Sequence, residues 1–119
     1  MQCVILCAGF ATRLRPLTLD CPKHLLPIAG RPMLDHLLDR LAASGIGTGV
    51  LVTNHRFAGN FKEWYESDSH AVELRILDDG TETNETRLGS IGDLRFALEA
   101  ADVQEDFVLV NGDNLFTFS

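Results

Sequence analysis

The first candidate for chemistry lies near the N-terminus, in the stretch CAGFATRLRPLT (residues 7–18). Bound phosphate needs backbone N–H groups at close range together with fixed cations. The stretch offers Gly9, the hydroxyl of Thr12, and Arg13, whose planar guanidinium suits phosphate oxygens. Lys23 adds a point charge further along. An aromatic residue and an alanine stand where phosphate loops usually have glycine, so spacing alone leaves an ordinary strand-to-helix connection open.

The second candidate is Asp113, which follows the apolar run DFVLV (residues 106–110) and Gly112. A carboxylate just beyond a buried strand commonly presents an oxygen ligand for Mg²⁺. Aspartate also caps turns after strands. Position by itself leaves both interpretations open.

Other kinds of site find little support in the sequence. It lacks G-x-x-x-x-G-K-[ST], and no G-x-G-x-x-G follows the first strand, which argues against a kinase-type phosphate loop and an NAD site. The four histidines show no spacing typical of a metal site or a triad, and no serine has a nucleophile-elbow context. Cys3 and Cys7 lie about 13 Å apart along the predicted first strand, too far to bridge. We therefore predict buried free thiols.

The chain contains 45% hydrophobic and 23% charged residues, which is typical of a soluble globular protein. Its length predicts one domain covering residues 1–119. No apolar run is long enough to span a membrane, and no secretory signal is visible, so we predict a cytoplasmic protein that binds no membrane. The net charge of −7 argues against nucleic-acid binding. Residues 1–31 nevertheless carry four basic residues against one acid. This imbalance indicates either a small anionic ligand or chance clustering.

Apolar periodicity predicts strands that alternate with helices. Pro32 suits a first helical position, and Ser90 with Asp93 forms a plausible capping box for the last helix. The residues between Gly9 and Arg31 carry three prolines and should be mostly irregular. The predicted strands are QCVILCA, GVLVT, AVELRIL and DFVLV, and the predicted helices run from Pro32 to Gly45, over residues 55–67, and from Ser90.

This order predicts a three-layer αβα, Rossmann-like, mostly parallel sheet with strand order about 3-2-1-4. In such sheets, ligands bind beyond the carboxyl ends of the strands, where the strand order reverses. The first and fourth strands flank that point. The loop after strand one and Asp113 after strand four should therefore be neighbours.

The stretch ILCAGFATRLRPLTLDCPKHLLPIAGRPML resembles the opening signature of the sugar-phosphate nucleotidyltransferases, the pyrophosphorylase-type enzymes that make nucleotide sugars. The family pattern is an apolar strand, A-G-x-G-T-R-L-x-P-L-T, and then P-K-x-L-L-P-V-x-G-x-P. RLGSIGDL and VLVNGDN follow in the expected order. The resemblance implies a glycosyltransferase-A-like nucleotidyltransferase domain, which transfers NMP from a nucleoside triphosphate to a sugar 1-phosphate and releases pyrophosphate.

The resemblance also implies roles for individual residues. Arg13 and Lys23 would act on the phosphates at the reacting centre, and Asp113 would bind the cofactor Mg²⁺. The nucleotide would be bound by Ala8, Gly9, Ala11, Thr12, Asn84 and Gly89. Gly89 would lie against the base, and the amide of Asn84 would read its edge. Ala11 replaces the family's usual second glycine, which requires the loop to avoid a positive φ there.

The family's catalytic domain is considerably longer than 119 residues and carries its sugar pocket and a second metal-binding aspartate further downstream. We therefore expect a truncated, N-terminal nucleotide-binding part with little transferase activity alone. Truncation should leave strand four as an exposed sheet edge, so we also predict self-association, as a dimer.

Three alternatives stay open from the sequence, and one of them is a different α/β domain whose loop only happens to look like this signature. The signature is shared with cytidylyltransferases that act on phosphocholine or a similar small phosphate. The short length also suits a non-catalytic nucleotide-binding or regulatory module.

Overall fold

The computed structural model describes residues 1–7, 22–67, 70–81, 89–101, 106–111 and 114–118. In chain order these form β1 (Gln2–Cys7), a short 3-10 helix (Lys23–Leu25), β2 (Pro27–Ile28), β3 (Arg31–Pro32), α1 (Met33–Ala43), β4 (Thr48–Thr53), α2 (Ala58–Glu66), β5 (Glu73–Asp78), α3 (Gly89–Ala100), β6 (Phe107–Asn111) and β7 (Asn114–Phe118). None of the described helices is long and apolar enough to cross a bilayer.

The main sheet has the strand order β5-β4-β1-β6-β7. β1 pairs in parallel with β4 on one side and with β6 on the other, and β4 pairs in parallel with β5. The four predicted strands therefore have the predicted order 3-2-1-4. Strand order reverses between β1 and β6, which is where the sequence placed the ligand site.

The prediction that strand four forms an exposed sheet edge is wrong. β7 pairs antiparallel with β6, from Phe107 opposite Phe118 to Asn111 opposite Asn114. The chain turns back on itself directly after β6, so the backbone groups on that side of β6 are hydrogen-bonded. The edges of the described sheet are β5 and β7.

Alternating side chains of the central strands feed two apolar layers. On one face, Ile5 and Leu51 pack with α1 and α2, whose inward residues include Leu38 and Phe61. On the other face, β-strand side chains pack against Ala97 of α3. Helices therefore cover both faces of the sheet, as predicted for a parallel sheet buried on both sides. Cys3 and Cys7 are buried free thiols, as predicted.

The two later helices differ slightly from their predicted bounds. α2 begins at Ala58, after a turn over residues 55–57, and its aromatic residues pack into the core as expected. α3 begins at Gly89, one residue before the predicted N-cap Ser90. Pro32 precedes α1 with an extended backbone (φ −53°, ψ 142°) and belongs to β3. It therefore caps the helix instead of forming its first turn.

Part of the proline-rich segment, which was expected to be mostly irregular, forms a β-hairpin with a two-residue turn. β2 pairs antiparallel with β3, and Ala29 and Gly30 between them have φ of 53° and 80°. Positive φ at both central residues is typical of a type I′ turn, whose twist matches that of the paired strands.

Close contact between β1 and β4 depends on one glycine. A Cβ added at Gly49 would lie 2.7 Å from the backbone oxygen of Cys3 and closer still to its Sγ. Gly49 is the register partner of Cys3. The central strand pair therefore has no room for a side chain at position 49.

We expect Gly49→Ala to lower the free energy of unfolding by about 1–3 kcal/mol, because overpacking forces the two strands apart. Gly47→Ala is the matched control, since a Cβ there would meet nothing within 4 Å. Urea unfolding followed by the fluorescence of Trp64, the one tryptophan of the chain, measures both variants. Equal midpoints for the two variants would contradict the steric argument.

Candidate functional site

The carboxyl ends of the central strands lie at one edge of the sheet. Cys7 at the end of β1 is the register partner of Thr53 at the end of β4. On the other side, Leu6 is the partner of Asn111 at the end of β6. The chain segments that follow β1 and β6 therefore start next to each other, at the reversal of strand order. This arrangement is the one predicted for the phosphate loop and Asp113.

Most of the predicted site residues cannot be placed any further. Ala8, Gly9, Ala11, Thr12, Arg13, Asn84 and Asp113 lie outside the described residues, and their roles stay predictions. Of the remaining two, Gly89 is the first residue of α3. A helix N-terminus presents unpaired backbone N–H groups and a partial positive charge. Lys23 begins the 3-10 helix.

The segment around Lys23 is fixed by its contacts with the hairpin and α1. The N–H of Leu26 donates to the Lys23 carbonyl at 3.1 Å, and the Leu26 carbonyl accepts from the Met33 N–H at 3.0 Å. Nε2 of His36 lies 2.6 Å from the Ile28 carbonyl oxygen. The second half of the N-terminal signature thus has a structural function, which is to hold the lysine segment against α1.

The hairpin is also tied to α1 by an ion pair. Arg31 Nη1 lies 2.8 Å from Oδ2 of Asp39, and both side chains are about half exposed. Exposed pairs of this kind contribute about 0–1 kcal/mol. The pair therefore orients the hairpin more than it stabilises the fold.

A turn at the end of β5 continues the sheet beyond its last assigned residue. The N–H of Asp79 donates to the Thr53 carbonyl at 2.9 Å, and the N–H of His55 donates to the Thr81 carbonyl at 2.7 Å. Oδ1 of Asp79 accepts from the Thr81 N–H at 2.9 Å and from its hydroxyl at 2.6 Å. Gly80 has a φ of 83°, which the turn requires. These contacts fix the Asp79 carboxyl in place.

Asp93 of α3 lies against this turn. The residue is 5% exposed, and Asp79 lies close enough to act on its carboxyl. Oδ1 of Asp93 and Oδ2 of Asp79 are buried without a hydrogen-bond partner in the part of the chain that the structure describes. Burial, and then the neighbouring Asp79 carboxylate, raise the pKa of Asp93 to about 8. The two acids therefore lie near each other at this edge of the sheet.

The prediction that Ser90 is the N-cap of α3 is wrong, because the helix already begins at Gly89. A capping box requires the Asp93 side chain to turn back to the backbone N–H of Ser90. Asp93 is buried, and Asp79 from another element lies close enough to raise the pKa of its carboxyl. Sequence spacing could not indicate this proximity, because the two residues lie 14 positions apart in the chain and on different elements.

A second pair at this edge joins the turn after β4 to the end of β5. Nδ1 of His55 lies 2.6 Å from Oδ2 of Asp78. Partial burial acts to raise the pKa of Asp78, but the hydrogen bonds from the Gly80 N–H and from His55, together with the charges of His55 and Lys62, outweigh it, and the pKa is lowered. No pattern in the sequence indicates this pair, since the four histidines show no spacing typical of a site.

The described residues offer no ready-made metal centre. Among them, no group of three or more histidine, cysteine, aspartate or glutamate side chains could hold a metal ion. The predicted Mg²⁺ ligand Asp113 is outside the described part of the chain. Its described neighbours Asn111 and Asn114 pair with each other where β6 ends and β7 begins.

Comparison with known proteins agrees with this geometry. A family model described as nucleotidyl transferase matches residues 2–119. Mannose-1-phosphate guanylyltransferase of Mycobacterium tuberculosis is 38% identical over 116 residues, which cover 97% of this chain and 30% of that protein. N-acetylmuramate alpha-1-phosphate uridylyltransferase of Caulobacter vibrioides is 51% identical over 55 residues, covering 46% of this chain and 22% of that protein. The chain thus spans about 30% of the length of relatives that match nearly all of it.

Solved structures share the fold. HddC from Yersinia pseudotuberculosis, complexed with GMP-PN, superposes with a TM-score of 0.74 at 23% identity, covering 94% of this chain and 47% of that chain. A UDP-glucose pyrophosphorylase complexed with UDP-glucose superposes with a TM-score of 0.68 at 19% identity, covering 91% of this chain and 43% of that chain. At these identities the likeness concerns the fold.

We expect Asp78→Asn to lower the free energy of unfolding by about 0.5–1 kcal/mol at about pH 6, through loss of the His55 pair. Because folding lowers the pKa of Asp78 below 3.8, the stabilisation is present above that value and is lost as the pH falls through the folded pKa. Glu73→Gln, at the exposed opposite end of β5, controls for the lost charge. Urea unfolding from about pH 6 down through the folded pKa of Asp78 measures both variants. Equal losses of stability in the two variants at every pH would contradict a contribution from the His55–Asp78 pair.

Proposed function

Because the chain belongs to the nucleotidyl transferase family, we propose that it binds a nucleoside triphosphate as the nucleotide-binding part of a sugar-phosphate nucleotidyltransferase. The observation that carries this proposal is the pairing of β1 with β6. Because of this pairing, the basic segment after Cys7 and the segment that contains Asp113 both begin at one edge of the sheet, where the strand order reverses. Ligands of parallel α/β sheets bind at that edge.

The proposed reaction needs no covalent enzyme intermediate. An oxygen of the sugar 1-phosphate attacks the α-phosphorus of the nucleoside triphosphate and forms a new P–O bond. The bond from the α-phosphorus to the bridging oxygen breaks, and pyrophosphate leaves with that electron pair. The protein contributes by positioning the reactants and neutralising charge.

The roles proposed for individual residues follow the resemblance. Arg13 and Lys23 hold the phosphates at the reacting centre, and the hydroxyl of Thr12 contacts the triphosphate. The hairpin docked on α1 supports the Lys23 segment. Asp113 would hold Mg²⁺, which when bound neutralises phosphate charge. Gly89, at the start of α3, would lie against the base.

The transfer step is proposed for a longer polypeptide, since the chain matches about 30% of the length of its relatives. By the resemblance, the acceptor pocket and a second metal-binding carboxylate lie downstream of the matched region. We therefore propose that nucleotide binding belongs to this chain and that transfer requires the rest. Pyrophosphate release by this chain alone, from GTP and mannose 1-phosphate, would contradict that division. If this chain releases no pyrophosphate, a non-catalytic nucleotide-binding module remains the alternative. Transferase activity of a longer polypeptide that contains this chain would exclude that alternative.

For the base we propose guanine. The relatives that match most of the chain are mannose-1-phosphate guanylyltransferases from bacteria, archaea and eukaryotes. A uridylyltransferase matches a shorter stretch at higher identity, and a CTP-using inositol-1-phosphate transferase shares the fold. Uracil and cytosine are therefore the competing bases to test.

We also propose a cytoplasmic location and self-association. The premise that β6 is open no longer applies, and association would use the edge strands β5 or β7 instead. A monomeric mass by light scattering at micromolar concentration would contradict association.

We expect Arg13→Ala and Asp113→Ala each to weaken binding of Mg²⁺-GTP by at least about tenfold, because each removes a charge-assisted contact of about 1.5–3 kcal/mol. Calorimetric titration measures the affinity. Arg40→Ala and Glu99→Ala, at exposed positions on α1 and α3, are the matched controls and should bind like the native chain. Native affinity in Arg13→Ala and Asp113→Ala would place the nucleotide elsewhere.

We expect UTP and CTP to compete with a fluorescent GTP analogue at least about tenfold less well than GTP, since unpaired polar groups of a base-reading site are costly. Asn84→Ala should reduce this discrimination. Equal competition by all three triphosphates would refute guanine selection.

A further inference from the structure

The side chain of His36 on α1 reaches the stretch of chain that follows Lys23. Its Nε2 lies 2.6 Å from the Ile28 carbonyl oxygen. A carbonyl oxygen can only accept a hydrogen bond, so Nε2 must carry a proton and donate it. Protonation of the other ring nitrogen leaves this donor in place. The contact is therefore compatible with both charge states of the imidazole.

The chain between Lys23 and Ile28 has little freedom to absorb a displacement. The two residues are five positions apart. The N–H of Leu26 donates to the Lys23 carbonyl at 3.1 Å, which closes the 3-10 turn. Pro27, between Leu26 and Ile28, has its φ fixed by the ring. A shift of Ile28 is therefore passed on to Lys23.

Helix α1 contacts this stretch at two points. The N–H of Met33 donates to the Leu26 carbonyl at 3.0 Å, and His36 donates to the Ile28 carbonyl. Met33 and His36 are three residues apart, so they lie on the same face of the helix. The contact of Met33 uses backbone atoms alone. The contact of His36 is the one of these two that a side-chain substitution removes.

The Arg31–Asp39 pair supports the same hairpin less directly. Arg31 is the register partner of Ile28 and lies on β3, beyond the turn. Both side chains of the pair are about half exposed, and exposed pairs contribute little. The contact of His36 is made on β2, the strand that continues directly from the Lys23 segment. His36 is therefore the closer support of Lys23.

We propose that His36 is a positioning residue for Lys23: its Nε2–H holds the Ile28 carbonyl and thereby sets where the Lys23 ammonium group meets the phosphates of the nucleotide. Lysine carries a point charge on a flexible stem, so a fixed backbone reduces the freedom that it loses on reaching a phosphate. The effect on nucleotide binding rests on the proposed function. The support of the Lys23 segment by His36 does not.

Amide hydrogen exchange tests the support without a ligand. In His36→Leu, which has no donor, we expect the amide protons of Leu26 and Met33 to exchange at least about threefold faster. His36→Gln, whose side-chain amide can donate to the same carbonyl, should restore slow exchange. The amides of β4, which lies between β5 and β1, report opening of the whole sheet and should keep their native rates. Native rates at Leu26 and Met33 in His36→Leu, or an equal acceleration in β4, overturn the proposal.

Nucleotide affinity tests whether His36 acts through Lys23. We expect His36→Leu to weaken binding of Mg²⁺-GTP about threefold to tenfold, and His36→Gln to restore it to within about twofold of the native value. Lys23→Ala should weaken binding at least about tenfold, since it removes a charge-assisted contact. Adding His36→Leu to Lys23→Ala should change the affinity by less than about twofold, because the group that His36 positions is absent. Arg40→Ala, at an exposed position on the same helix, is the control.

The remaining outcomes separate this proposal from the proposed function. Equal losses of affinity from His36→Leu in the native and Lys23→Ala backgrounds overturn the positioning role, because His36 would then act on the fold as a whole. Native affinity in Lys23→Ala, or in a His36→Leu chain that exchanges faster, overturns it as well. A native chain that binds no nucleotide contradicts the proposed function, and amide exchange then decides whether His36 supports the Lys23 segment.

Discussion

Parallel pairing of β1 with both β4 and β6 is the constraint on which the rest of the structure depends. It buries β1 on both faces and both edges, so its residues must be apolar and closely packed. The contact tolerates no side chain at Gly49 against Cys3. Because the three strands are parallel, their carboxyl ends meet at one edge. Loops that are far apart in the sequence therefore start side by side there.

Polar groups collect at that edge because strands end there and backbone groups need partners. Oδ1 of the buried Asn54 accepts a hydrogen bond from the N–H of Phe57, and this bond shapes the turn into α2. The turn after β5 extends the ladder with β4 through backbone bonds of Asp79 and His55. This extension brings Asp79 towards Asp93 of α3, whose pKa is raised first by burial and then by Asp79.

The N-terminal signature combines two kinds of requirement. Its first half follows β1 in the sequence, and its proposed task is to bind phosphate. Its second half forms a hairpin with positive φ at Ala29 and Gly30, joined to α1 by His36 and by the Arg31–Asp39 pair. A pattern that suggests binding along its whole length therefore includes residues whose function is structural support. Lys23 lies at the junction of the two halves.

The sequence by itself determined the strands, the helices and their order, because apolar periodicity is a local property and right-handed crossovers allow few topologies. It indicated the reversal point between β1 and β6, and its motifs indicated the family. It did not reveal β7, whose pairing depends on the chain folding back against β6. It also assigned Asp93 to a local cap, whereas the tertiary structure placed it against Asp79. Contacts between distant residues depend on how whole elements pack, and a pKa raised by burial exists only after that packing has formed.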